Sequence, residues 1–64
     1  MLNLSDLIIQ HPEVNSFQQL VTVLRQRAEE GEILFRFDIK PDFRDTPRNW
    51  ETQLENAFIW AKKR

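Results

Sequence analysis

The chain has no cysteine, one histidine, one glycine and no excess of either charge. Without cysteine there are no disulfides. With His11 as the sole histidine there is no ligand set for structural zinc. A single glycine, Gly31, cannot build a Gly-rich phosphate loop. Nine basic residues against ten acidic ones leave a formal charge of −1. Generic binding to nucleic acid or to an anionic membrane shows as a basic excess, which is missing. No apolar run approaches the ~20 residues needed to cross a bilayer. The N-terminus has no basic region leading into an apolar stretch, so no signal peptide is expected and a cytoplasmic location is the default.

What remains is a chain of 64 residues, 41% of them hydrophobic. That composition argues against disorder, and the length allows one small domain, residues 1–64. Domains near this size bury only ~60% of the surface the unfolded chain exposes. Their cores rarely supply more than about 3–5 kcal/mol. Small domains compensate with disulfides, metals or association, and elimination leaves association, with a second copy or with another protein.

Four segments stand out. Residues 4–10 carry Leu4, Leu7, Ile8 and Ile9, with Ser5 as a cap candidate, and read as a short helix or apolar arm. Pro12 disfavours helix at His11. Residues 17–30 place Phe17, Leu20, Val21, Leu24 and Ala28 on one helical face. Ser16 is the N-cap, Gln19 completes a capping-box spacing, and Gly31 stands at the C-terminus. Residues 33–40 alternate, with Ile33, Phe35, Phe37 and Ile39 on one side and Leu34, Arg36, Asp38 and Lys40 on the other, which is a strand pattern ended by Pro41. Residues 47–63 form a last helix, with Thr46 as cap, Pro47 at its first position and a stripe of Trp50, Leu54, Ala57, Phe58 and Ala61. Lys62, Lys63 and Arg64 sit where the helix dipole favours cations.

The expected fold is α+β: a short N-terminal helix, then helix–strand–helix, with the two long helices on one face of a minimal sheet. The expected core is Phe17, Leu20, Val21, Leu24, Ile33, Phe35, Phe37, Ile39, Trp50, Leu54 and Phe58. A lone strand cannot satisfy its own backbone. Three neighbours are open to it: residues 1–4 in extended form, a weak return strand over 39–44, or the same strand of a second copy across a two-fold axis. The last would also supply the association that the small core calls for.

No arrangement resembles a catalytic site, and no cofactor is expected. His11 reads as a helix-terminating residue before proline. Glu29, Glu30 and Glu32 crowd a helix C-terminus, where acids oppose the dipole. They read as a solvated helix end or as an acidic patch for a basic partner. Ile59 points away from the core stripe of the last helix and Trp60 lies to one side of it. With Val23 they make a candidate interaction surface, since Trp is enriched at interface hot spots. The leading expectation is therefore a non-enzymatic protein-interaction module, homodimeric, of the regulator, adaptor or assembly-factor kind.

The alternative is a nucleic-acid-binding regulator. Arg25, Arg36, Lys40, Arg44 and Arg48 would contact phosphates, and the nearby aromatics would stack on bases. Asp38, Asp42 and Asp45 interrupt those cations and weaken that reading. A helix-turn-helix over Leu4 to Leu24 would present Gln18, Gln19, Thr22, Arg25 and Gln26, but a strand follows where that motif needs a third helix.

Overall fold

A computed structural model describes residues 1–62. The chain is a mixed α and β domain in the order β1 (Leu2–Asn3), α1 (Leu4–Gln10), α2 (Phe17–Glu29), β2 (Phe35–Arg36) and α3 (Trp50–Lys62). The strands pair in parallel, Leu2 opposite Phe35 and Asn3 opposite Arg36. Of the three neighbours open to the strand, the extended N-terminus is the one it has within the chain. The crossover between the strands is made of α1 and α2.

The core is built where the helical stripes meet. α2 packs along α3, and α1 closes one end against α2 and β1. Leu4, Leu7, Leu20, Leu24 and Leu54 are completely buried, with Leu2, Phe17, Ala28, Phe58 and Ala61 around them. The expected core lacked Leu2, Leu4 and Leu7. They are buried because β1 runs straight into α1, which packs on α2. Val21, Phe35, Phe37 and Trp50 are half-buried at the margin of this cluster.

α2 ends as its local chemistry dictates. The Ser16 hydroxyl accepts from the Gln19 N–H at 3.1 Å. The Gln19 side chain reaches back to the N–H of Asn15 at 2.8 Å, one residue earlier than a standard capping box. At the other end Gly31 adopts φ +115°, a conformation that disfavours a Cβ. Its N–H bonds to Ala28 O and the Glu32 N–H to Arg27 O, which is a Schellman closure.

Several expectations are corrected. The strand occupies Phe35–Arg36 alone rather than 33–40. Ile33 and Ile39 leave the core, 73% and 43% exposed, because only two residues of β1 are available to pair and the chain diverges on either side. α3 starts at Trp50, with the Asn49 carbonyl accepting its first bond from Gln53 N. Thr46 does not cap it. Thr46 instead closes a turn, its hydroxyl accepting from Phe43 N while its own N–H donates to Phe43 O. Pro47 therefore precedes the helix. α1 begins two residues earlier than a Ser5 cap would allow, with Asn3 at the N-cap position. The expected cations at the end of α3 fall on Lys63 and Arg64 and on the side chain of Lys62, which lie outside the described residues.

Candidate interaction surface

Residues 33–48 form an arm between α2 and α3, fixed at three kinds of anchor. The first is aromatic. Phe58 of α3 stacks on Phe35 at 5.6 Å, Phe35 meets Phe37 edge-on at 4.9 Å, and Phe37 meets Trp50 edge-on at 5.6 Å. Such geometries are favoured by the ring quadrupole. The side chains at 35 and 37 therefore face α3, as period two requires. The second anchor is Pro41, which is fully buried.

The third anchor is a pair of carboxylates. Asp38 accepts from the backbone N–H of Ser5 at 2.9 Å and from the Ser5 hydroxyl. Asp45 accepts from the N–H groups of Phe17 and Gln18 at 2.6 and 3.2 Å. Each aspartate thus caps a helix from far along the chain, where unpaired N–H groups and the dipole favour an anion. Asn3 does not cap α1 with its own side chain. Its amide donates to Asp6 instead, and its Oδ1 is buried with no hydrogen bond among the described residues. The Ser5 hydroxyl, followed by the Ser5 N–H, holds the Asp38 carboxyl below its ordinary value. The Phe17 N–H does most of the same for Asp45.

Between the arm and α3 lies an open groove of about 270 Å³, lined by Ile33, Leu34, Phe35, Phe37, Glu55 and Phe58. Leu34 is 57% exposed. Ile59 stands one helical turn beyond Glu55 and is 40% exposed, which continues the apolar surface along α3. Trp60 is 69% exposed. Val23 is half-buried and lies instead in a second depression of about 350 Å³ on α2, with Glu13, Val14, Gln19 and Thr22. Ile33 and Leu34 were absent from the expected surface. Alternation assigned Ile33 to the core, and nothing local signals that the pairing stops at Phe35.

The acidic candidates divide. Arg27 draws Glu30 to 3.7 Å and Glu32 to 3.3 Å, and also donates to Gln10 of α1 at 2.8 Å. Glu30 and Glu32 are thereby engaged in closing the end of α2, and Glu29 lies on its exposed side. Among the basic candidates, Arg25 is on the outer side of α2, Arg36 on β2, and Lys40, Arg44 and Arg48 along the arm, all exposed. Asp38 and Asp45 are directed at helix N-termini rather than at these cations.

His11 ends α1, its N–H bonding to Ile8 O and its ring lying 2.9 Å from Glu13. A backbone hydrogen bond at Glu13, and then the His11 ring, lower the Glu13 carboxyl. Among the described residues no three of the His, Asp and Glu side chains form a metal-holding group, and no helix is long and apolar enough to cross a membrane. The chain matches no protein-family model, no curated protein and no solved structure.

Proposed function

We propose that this chain is a small non-enzymatic protein-interaction module, a regulator, adaptor or assembly factor that acts through the apolar surface of its arm and α3. One observation carries the reading. Folding leaves Ile33, Leu34, Ile59 and Trp60 at 40–73% exposure on a domain with little core to spare. Scattered exposed apolar residues are ordinary, but a contiguous patch beside a groove marks an interaction site. Ile33 and Leu34 line one groove, Ile59 stands one helical turn beyond its Glu55, and Trp is among the residue types most enriched at hot spots. The arm brings this patch to the surface, and the helical core supports it from behind.

The test is a triple variant, Leu34→Ser, Ile59→Ser and Trp60→Ser, compared with the native chain for the amount of protein bound per immobilised chain and for solution mass. The native chain should associate. The variant should keep its helical circular dichroism and lose the association. Equal binding by the variant rejects this surface, and loss of the helical signal would place these side chains in the core.

A further inference from the structure

We infer that the groove between the arm and α3 takes a basic, apolar segment of another protein, with an arginine or lysine of that segment paired to Glu55. The inference rests on the interaction-module reading above and names the chemistry of the partner.

The lining of the groove is apolar apart from one residue. Ile33, Leu34, Phe35, Phe37 and Phe58 form its walls, and Glu55 is the one charged side chain among them. Glu55 is exposed and makes no ion pair among the described residues. The acids around the arm are otherwise occupied. Glu30 and Glu32 are held by Arg27, and Asp38 and Asp45 cap helices. Glu51, one turn before Glu55 on α3, is exposed as well. Like charges four residues apart on a helix repel each other. Folding therefore leaves negative charge beside the groove that a cation from outside would relieve.

The cation nearest in sequence to the groove residues does not relieve it. Arg36 stands between Phe35 and Phe37 but does not line the groove. Alternation turns it to the other face, where its charge helps to hold the Asp38 carboxyl low.

Size and shape decide the kind of occupant. The groove is open, and at about 270 Å³ it falls below the ~300–1,000 Å³ of small-molecule pockets. It suits a few side chains presented by a polypeptide. An apolar side chain of the partner would cover Ile33 and Leu34, which are 73% and 57% exposed. A basic side chain would lay its stem along the aromatic rings and bring its head to Glu55. Arginine suits this better than lysine. Its planar guanidinium stacks on rings and meets a carboxylate through paired hydrogen bonds. The same carboxylate repels phosphate, which turns this aromatic groove away from nucleic acid.

Selection from a random peptide library displayed on phage tests this, with the native chain and Glu55→Lys as parallel baits. The substitution sets a lysine one turn after Glu51, a favourable helical pair, so helical circular dichroism should match the native chain. The native bait should enrich peptides that place an arginine or lysine beside a large apolar residue. Glu55→Lys should lose that basic preference, and a synthetic peptide selected on the native chain should bind it about tenfold or more weakly. Glu55→Gln, which keeps the size, should weaken the same peptide and replaces the lysine variant if that one misfolds. Enriched peptides with no basic preference, bound equally by all three chains, overturn the pairing with Glu55 and leave the apolar surface standing. Undiminished binding of a native-selected peptide by the triple variant at Leu34, Ile59 and Trp60 rejects the interaction surface itself. A native chain that self-associates and enriches no peptide gives the groove to a second copy and overturns the basic partner. A monomeric native chain that enriches no peptide overturns the groove as a docking site.

Discussion

Leu20 and Leu24 on α2 and Leu54 on α3 are sealed from solvent, whereas Ile33 and Ile39 in the arm, on an equally regular apolar pattern, are largely open to it. The difference is one of backbone. A helix closes its own hydrogen bonds, so its apolar stripe needs only another stripe to cover it. A strand must find its partner elsewhere, and here the partner offers two residues. The arm is then held by a few point attachments: three ring contacts, one proline and two carboxylates. Regular alternation specifies which way side chains point, but not how much of a strand will be covered.

This contrast sets an order of sensitivity. Leu20→Ala or Leu54→Ala should be the most damaging, costing about 2–5 kcal/mol and lowering the melting temperature by roughly 10 °C or more. A shift of only a few degrees in thermal melts followed by circular dichroism would show that the helical interface is not the seat of stability. Phe35→Ala removes the central ring of the aromatic chain from a half-buried site, and should cost about 2 kcal/mol. Urea titration should place it clearly below the leucine variants. If it equals them, the arm and the helices form one core rather than two unequal parts.

Next come the ends of α2. Ser16→Ala should cost about 1 kcal/mol through the lost cap. Gly31→Ala should cost about the same, through backbone conformation alone, because no atom lies within 4 Å of where a Cβ would sit. Both are measurable as shifts in the urea midpoint. A neutral Gly31→Ala would mean that the helix end has relaxed to a negative φ.

The carboxylate attachments give an acid dependence. Asp38 and Asp45 have folded values below the ordinary 3.8, so each ionises more readily folded than unfolded. Their contribution is complete above the unfolded value and disappears as pH falls through the folded values. Amide exchange at Ser5, Phe17 and Gln18 should accelerate, relative to intrinsic rates, as the pH is lowered through that range. Asp38→Asn should remove the effect at Ser5 alone, and Asp45→Asn the effect at Phe17 and Gln18. Acid exchange that ignores both substitutions would dismiss the attachments. The smallest expected effect is Trp60→Ser, within about 0.5 kcal/mol of native stability. A larger loss would move Trp60 from the surface into the core.

How much was legible followed the range of the interactions. α2 was readable nearly to the residue, since Ser16, Gln19 and Gly31 all act within one turn of its ends. The start of α3 was not, because Thr46 and Pro47 satisfy the local rule for a helix start while the Phe43–Thr46 turn claims the threonine. The roles of Asp38 and Asp45 left no trace in spacing, since the groups they cap are 33 and 28 residues away. Ile59 and Trp60 were singled out from helical geometry alone, whereas Ile33 and Leu34 required knowing where the strand pairing ends.

The parallel pairing of Leu2 with Phe35 also has a kinetic meaning. Helical turns form from neighbours in the chain, within about a microsecond. The strand pair must first close a loop that contains both α1 and α2, and that entropy is repaid by very few contacts. We therefore expect the ribbon to assemble late, after the helices have docked. By the same reasoning it should open first, at a free energy well below that of global unfolding. Native-state hydrogen exchange at Arg36 compared with Leu24 would report that gap. Each opening would undo the ribbon while the helices stay folded, so the chain would sample a wholly helical form without leaving its native state.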